Sequence, residues 1–477
     1  MYLNPLQCWS SLVLKELTLG AVTTLSGRLF QEFTTLTPKK FALMVFWTCG
    51  FFNLELLPLV GRASASSKPL KVTVSFYMLG IVTLLPWNFF ITADSYWQYK
   101  FRNVSLEDEW DDLDAGLTSL QVSFMPTLII VSNIFATLFL VVNSFIVTRV
   151  SERVRLLGSL CVSFSAMLLT TIFTFTNTDA WQVNFYIITM VIVSLLNIFM
   201  AMIQGSSYGL AGMFPINCIN SMNSGQAIAG VFCSLARILS LVVGDKPLIS
   251  GLVFFSIADV FLLASIADYI YLTKMEIYAK VKNKAENTES TQVAKSDWET
   301  YLVVFKKVWL MGTTYAGTLF VTLMIYPAVM VYVTSYMPES QWTKVYFQPT
   351  ITFLVFNLGD LLGRETPRWI PWPGPEGWSL HILGAARLIF VPLLMLCHGD
   401  NKTFPTVFNH DSYYIILITL FAFTNGHVGT LTLIYYPGLL KSEELEVGGA
   451  IMAAMLGVGM VVGSLLSPGF VALWGPK

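Results

Sequence analysis

The chain has 477 residues, of which 55% are hydrophobic and 12% are charged, and its formal net charge is −1. Soluble domains carry roughly 25% charged residues, so this composition excludes a soluble globular protein, and the near-zero charge gives no support to a nucleic-acid partner. The apolar stretches also lack the period of two that a membrane barrel needs. The sequence therefore predicts an all-α polytopic protein whose surroundings are a lipid bilayer.

Residues 1–70 are atypical of the rest of the chain. The stretch 41–60 is apolar enough for an additional span, but it contains Asn53, Glu55 and Pro58. An amphipathic or disordered tail is an equally good interpretation, and no signal-peptide cleavage site stands out. We therefore expect an N-terminal extension that is either a tail or one extra helix.

Eleven apolar windows, each long enough for the roughly 20 residues of a bilayer span, follow from Lys71 onward. A polar linker at 274–306, expected to be flexible, separates six windows at 71–273 from five at 307–477. Two bundles joined in this way are typical of transporters whose halves rock against each other, whereas a channel or receptor does not need the division. The windows are 72–93, 119–147, 154–175, 183–208, 222–244, 249–273, 308–334, 346–364, 379–398, 412–437 and 447–472.

The distribution of Lys and Arg predicts the orientation of these spans. Basic residues cluster in the second connection and in the linker, so both are expected in the cytoplasm. The first connection, 94–118, is acidic and holds a glycosylation sequon at Asn103, so it is expected outside; a second candidate sequon, at Asn401, lies in the ninth connection, also predicted outside. The core therefore starts in the cytoplasm and ends outside the cell, and the plasma membrane is the expected location.

Asp360 and Arg364 lie four residues apart in the eighth window, so they share one face of a helix and can form an ion pair. A charge in the bilayer costs roughly 2.5–3.5 kcal/mol on insertion scales, so such residues usually face a bundle interior or a wet cavity. The alternative is a helix end from which Arg364 extends to the headgroups. Position alone does not separate the two interpretations.

Other windows also contain polar or helix-breaking residues. Pro86 can open the first helix, and the neighbouring Trp87 and Asn88 offer a flat face and an amide, although they also suit the aromatic belt at a membrane surface. Gln204 stands in the middle of the fourth window, where an amide either joins two helices or binds a ligand with its donor and acceptor. The fifth window opens with a second amide, Gln226.

Catalytic and metal chemistry have little support in the sequence. The six cysteines are scattered through mostly apolar runs, and the four histidines have no ligand spacing. The cysteines are therefore expected to be small core residues. We expect no metal, no cofactor and no enzyme activity.

Eight short motifs occur in order, and together they resemble the equilibrative nucleoside transporters over about 72–475; residues 1–70 do not match. The motifs are LLPWNFFITA (84–93), QGS (204–206) with GLAG (209–212), SGQ (224–226), NLGDLLGR (357–364), WPGP (372–375), ARLIFVPL (386–393), FTNG (423–426) and GAIM (449–452).

The resemblance implies a two-bundle fold like that of the major facilitators and facilitated diffusion of purine and pyrimidine nucleosides. We expect alternating access as the mechanism and no obligate protein partner. The resemblance further implies that the sugar hydroxyls are bound by Asp360 and Arg364, and that the base is hydrogen-bonded by Gln204. The remaining site residues implied are Trp87, Leu84 and Ile91 as an apolar wall, Asn88 as a brace of the first span, and Asn357 within the same substrate site.

The resemblance also implies two gating elements. Arg155 and Glu446 match a charged pair that closes the cytoplasmic side. Tyr326 and Pro327 match a constriction, which we expect on the same side. Opening and closing of this side would then depend on both elements.

Two other carriers of the same fold remain as alternatives. By the resemblance, an organic-cation or monoamine carrier would have a carboxylate where Gln226 stands. A proton-coupled carrier needs a buried acid that stands apart from a basic partner, and no such acid is evident from the sequence. A nucleoside carrier is therefore the favoured interpretation.

Overall fold

A computed structural model describes residues 67–104, 118–147, 149–243, 247–289, 297–399 and 402–475. The described parts of 67–238 and 245–477 belong to one compact unit. The extension at 1–66, most of the acidic first connection and Asn401 lie outside the described residues. The predictions made for them stay predictions.

The first half of the described chain is a series of helices joined by short connections. Thr118 begins the second long helix through a reciprocal capping box with Gln121, which satisfies two backbone N–H groups at that end. The helices are α1 (Ser67–Thr92), the short α2 (Asp94–Lys100), α3 (Ser119–Ile146), α4 (Glu152–Thr174), α5 (Gln182–Met213), α6 (Ile216–Val243) and α7 (Pro247–Thr273).

The polar linker contains a helix, α8 (Glu276–Glu289), and the next helix already begins at Asp297. The structure thus differs from the expected flexible linker over 276–289. Lys, Glu and Ala in this stretch are good helix formers, and the buried side chain of Tyr278 anchors the helix to the protein.

The second half contains more irregular helices. Two π-helical segments, Trp342–Tyr346 and Gln348–Val355, lead directly into α10, and a 3₁₀ turn, Arg387–Ile389, joins α11 to α12. The helices are α9 (Asp297–Ile325), α10 (Phe356–Glu365), α11 (Ser379–Ala386), α12 (Phe390–Met395), α13 (Asp411–Tyr435) and α14 (Leu445–Trp474).

Nine helices in the described residues are long and apolar enough to cross a membrane. They coincide with the first seven, the tenth and the eleventh predicted windows. The eighth window coincides with the π-helical segments and α10, and the ninth with the shorter apolar region Ser379–Met395. The predicted all-helical polytopic membrane protein is confirmed.

Close packing of two helices, one from each half, determines the shape of one end of the bundle. At Gly449 of α14, an added Cβ would lie 2.5 Å from the backbone nitrogen of Gly209 on α5. No side chain fits there, so the two backbones touch. This contact lies beside Glu446, whose backbone oxygen would be 2.8 Å from a Cβ on Gly209.

Candidate functional site

A cavity of about 170 Å³ is lined by residues from both halves of the chain. The first half contributes α1, α3, α5 and α6, and the second half contributes α9, α10, α13 and α14. Among the described residues, none from α4, α7, α11 or α12 is part of the wall. Four helices from each half therefore converge on one site.

Asp360 and Arg364 form the ion pair that their spacing predicts, with Arg364 Nε 2.8 Å from Asp360 Oδ2. The other carboxylate oxygen, Oδ1, accepts a hydrogen bond from Asn425 Nδ2 at 2.7 Å. Arg364 Nη1 donates to Asn223 Oδ1 at 3.1 Å and to Gln226 Oε1 at 3.2 Å. Arg364 thus faces the bundle interior and lines the cavity, while both oxygens of Asp360 are already engaged by protein groups.

A network of polar side chains extends from this pair across the bundle. The hydroxyl of Tyr208 lies 3.0 Å from Gln226 Oε1 and 3.2 Å from Asn223 Oδ1. The amide nitrogen of Gln226 donates to Thr83 at 3.1 Å, and that of Asn223 donates to Thr430 at 2.9 Å. Because buried polar groups are costly when unpaired, these bonds fix the orientation of both amides and link α1, α5, α6 and α13.

The structure brings half of the predicted substrate residues to the cavity. Asn357 is bound elsewhere, since its Nδ2 donates to Ser234 Oγ at 2.8 Å and joins α10 to α6. The predicted residues that line the cavity are Leu84, Trp87, Gln204 and Arg364. Those that are not among its lining residues are Asn88, Ile91, Asn357 and Asp360.

Two further amides on the cavity wall, Asn133 of α3 and Asn197 of α5, were not singled out from the sequence. Each is a single amide in an apolar run, which is the same signal that drew attention to Gln204. Asn197 Nδ2 donates to Ser132 Oγ at 3.2 Å and to the backbone oxygen of Val193 at 2.9 Å. The cavity wall is therefore more polar than the sequence alone indicated.

The predicted pair Arg155 and Glu446 is present, with Arg155 Nη2 in contact with Glu446 Oε1. The linker helix α8 completes this cluster, because Lys282 Nζ lies 3.3 Å from Glu152 Oε2 and 3.7 Å from Glu446 Oε2. The hydroxyl of Tyr278, also on α8, donates to Glu152 Oε2 at 2.5 Å. We call Arg155, Glu446, Glu152, Tyr278 and Lys282 the charged cluster.

The expectation that Tyr326 and Pro327 lie on the same side as Arg155 and Glu446 is wrong. Lys307, near the start of α9, contacts Glu444 at 2.6 Å, so the start of α9 lies at the Glu446 end. Tyr326 follows 19 residues later, after the last residue of α9, which places it about 29 Å further along the helix axis. There its ring stacks on Phe356 with centroids 3.7 Å apart.

Sequence comparisons connect this chain to known transporters. The profile of the family described as Nucleoside transporter matches residues 190–472. Equilibrative nucleoside transporter 1 of Homo sapiens is 32% identical over 438 residues, which cover 83% of this chain and 96% of that protein. Equilibrative nucleoside transporter 3 of Rattus norvegicus is 31% identical over 418 residues, which cover 82% of this chain and 86% of that protein.

Solved structures with the same fold belong to the major facilitator superfamily. The proton:xylose symporter XylE, bound to 6-bromo-6-deoxy-D-glucose, has a TM-score of 0.59 at 11% identity, over 83% of this chain and 87% of that chain. A double-tryptophan mutant of XylE has a TM-score of 0.56 at 13% identity, over 86% of this chain and 92% of that chain. At this identity the likeness shows the fold alone, and it agrees with the major-facilitator-like arrangement expected from the sequence.

Proposed function

This chain belongs to the equilibrative nucleoside transporter family, a family of multi-pass membrane transporters and not of enzymes, and from this premise we propose that it moves nucleosides down their concentration gradient by alternating access. One observation carries the proposal: four helices from each half of the chain line one cavity, whose wall combines apolar and polar side chains. Rocking of the halves would expose that cavity to each side of the membrane in turn.

Within the cavity, Arg364 donates to the sugar hydroxyls, and Asp360 holds and orients it. Gln204 binds the base, and Trp87 and Leu84 supply an apolar wall for the ring. These roles are supported by the position of Arg364, Gln204, Trp87 and Leu84 on the wall. Ile91 and Asn88 would support this wall from the same helix, and Asn357 would hold α10 against α6.

Gating at the two ends completes the cycle that we propose. The charged cluster closes the cytoplasmic end, since Arg155 is 1% exposed and joins α4 to α14. Tyr326 and Pro327 act at the opposite end. In this arrangement the membrane is crossed eleven times, in bundles of six and five spans. The eighth span is α10 with its preceding π-helical segments, and the ninth is α11 with α12. The core starts in the cytoplasm, the C-terminus lies outside, and the protein resides in the plasma membrane.

Uptake of labelled substrates tests this function. Cells that express the chain should take up labelled uridine and adenosine until the inside and outside concentrations are equal, with no dependence on sodium. Accumulation of the nucleoside to an inside concentration above the outside concentration would contradict equilibrative nucleoside transport, and so would the absence of any uptake.

The sugar-binding role has its own test. A 2′,3′-dideoxynucleoside lacks the sugar hydroxyls to which Arg364 would donate. Sites that hydrogen-bond a hydroxyl discriminate strongly against analogues that lack it. We expect its uptake to be at least about tenfold slower than that of the ribonucleoside. Equal uptake of both would contradict the role of Arg364.

A carrier of organic cations is disfavoured by the charge of the cavity. Gln226, where such a carrier would have a carboxylate, lies 3.2 Å from the guanidinium of Arg364. The charged side chain on the described wall is the guanidinium of Arg364, so the wall offers no carboxylate to pair with a cationic substrate. Uptake of a labelled monoamine by the same cells would reverse this conclusion.

Proton coupling is the second candidate, because one observation favours it. Contrary to the expectation from the sequence, Asp259 of α7 is buried and accepts a hydrogen bond from the hydroxyl of Thr171 of α4, and its Oδ1 has no partner among the described residues. Ionisable groups inside a membrane are commonly functional. Nucleoside uptake measured at two pH values, in the wild type and in Asp259→Asn, decides between the two mechanisms.

A further inference from the structure

The polar groups on the cavity wall form two separate clusters. The first surrounds Arg364 and includes Gln204, whose amide adjoins the hydroxyl of Tyr208. The second consists of Asn133 and Asn197, which we call the amide pair. Asn197 precedes Gln204 by seven residues on α5, so the two clusters are separated by about 10.5 Å along that helix.

The wall between the clusters is apolar on α5. Met200 and Ala201 lie between Asn197 and Gln204 on the same helix face and line the cavity. The separation of about two helical turns corresponds to the length of a nucleoside, from the ribose to the far edge of the base. A ligand of this length with a polar group at each end would therefore match both clusters.

The hydrogen bonds of the amide pair leave specific groups for a ligand. Both N–H groups of Asn197 have protein acceptors, Ser132 Oγ and the oxygen of Val193, so its Oδ1 remains as an acceptor. Asn133 lines the cavity, and its amide has no hydrogen-bond partner among the residues that the structure describes. Asn133 is half-buried, so its amide can exchange a water molecule for a polar group of a ligand.

We propose that the amide pair binds the Watson–Crick edge of the nucleobase, while the ribose lies at Arg364 and Gln204 binds the side of the base nearer to the ribose. This inference rests on the proposed nucleoside transport. For adenosine, the 6-amino group donates to Asn197 Oδ1, and N1 accepts from Asn133 Nδ2. For uridine, N3–H donates to Asn197 Oδ1, and O4 accepts from Asn133. Because Asn197 is fixed as an acceptor and Asn133 supplies the donor, both purine and pyrimidine nucleosides are accepted, and an analogue that lacks the ring acceptor is discriminated against.

The test pairs one protein group with one ligand atom. The analogue 1-deazaadenosine keeps the 6-amino group of adenosine but has no acceptor at position 1. In the wild type, its KM for uptake should exceed that of adenosine by about tenfold. Asn133→Leu should raise the KM for adenosine to the same level and leave the KM for the deaza analogue unchanged, because the bond that it removes is already absent there.

Controls separate binding from folding. Ile134→Leu, at the neighbouring exposed position of α3, should change neither KM, and the amount of each variant at the surface is measured alongside. Where Asn133→Leu does not reach the surface, Asn133→Ala gives the same comparison.

Two results would overturn the inference and leave nucleoside transport intact. One is an equal KM of the wild type for adenosine and for its 1-deaza analogue. The other is an Asn133 variant that changes both KM values equally, or changes neither. Absence of any nucleoside uptake by the wild type would overturn the inference together with the proposed function.

Discussion

Asp360 and Arg364 contribute to the cavity in different ways. The carboxylate is 7% exposed and accepts from Arg364 and Asn425, whereas the guanidinium is 17% exposed and lines the wall. Asp360 therefore acts as a positioning residue, and Arg364 is the group that a substrate would contact. Removing one member of a buried ion pair leaves the other uncompensated, which costs about 3–5 kcal/mol.

Asp360→Asn should consequently lower nucleoside uptake by at least about tenfold, because Arg364 loses the charged partner that orients it. The initial uptake rate, divided by the amount of protein at the surface, measures the effect. Glu365→Gln is a matched control on the same helix, since Glu365 pairs with Arg368 at 3.1 Å and should change uptake little. Normal uptake by Asp360→Asn would contradict the role given to this residue.

The ion pair could be predicted from the sequence because residues four apart on a helix are neighbours wherever the helix lies. The position of Asn133 on the wall could not, because it depends on the rotation of α3 against α5 and α14. For the same reason the motif that contains Asp360 predicts Asn357 in the substrate site, whereas in the structure its Nδ2 donates to Ser234 Oγ. A local pattern predicts which side chains share a face, and tertiary packing decides what that face meets.

The helices α5 and α14 approach each other closely beside the charged cluster. A methyl group at Gly449 would lie 2.5 Å from the nitrogen of Gly209 and 2.6 Å from its Cα. Gly449→Ala should therefore force the two helices apart, with an overpacking cost of about 1–3 kcal/mol. We expect less protein at the surface and a lower thermal midpoint in detergent.

Gly317→Ala is the control for this change, because an added Cβ on Gly317 of α9 meets no other group within 4 Å. It should leave the thermal midpoint unchanged or raise it slightly, since alanine is the better helix former. If both variants behaved alike, the close approach of α5 and α14 would not be a requirement of the fold.

The linker helix α8 joins the two halves through Lys282, which lies near Glu152 of α4 and Glu446 of α14. Lys282→Gln removes both attractions and should make the charged cluster open more readily. Partly exposed ion pairs contribute about 0.2–1 kcal/mol, so we expect opening to increase about 1.4- to fivefold. A cysteine in place of the fully buried Ser207, two residues from Gly209, reports opening through its rate of labelling by a maleimide.

Lys280→Gln provides the matched control for α8, since Lys280 is exposed on the same helix. It should leave the labelling rate of the Ser207→Cys reporter unchanged. Equal labelling rates in the Lys282 and Lys280 variants would show that the linker helix does not restrain the cluster. The sequence could not indicate this contact, because only the fold brings α8 to the start of α14.

The arrangement of the whole molecule depends on whether the two irregular helical regions, one ending in α10 and the other made of α11 and α12, cross the membrane. Hydropathy identified all eleven windows because each is locally apolar. It could not show that the eighth is partly π-helical or that the ninth is interrupted by a 3₁₀ turn, since both features depend on packing. Nine regular helices satisfy the length criterion within the described residues.

The connection 366–378 decides between these arrangements. If both irregular regions cross the membrane, it lies in the cytoplasm; if neither does, it stays outside with the end of α9. An epitope inserted between Glu376 and Gly377, both exposed, should be detected only after cells are permeabilised. An epitope at the C-terminus should be detected on intact cells, and loss of a glycan in Asn103→Gln gives the outer reference. Detection of the inserted epitope on intact cells would mean that the two regions do not span the bilayer, and the wall that Arg364 forms from α10 would then need another explanation.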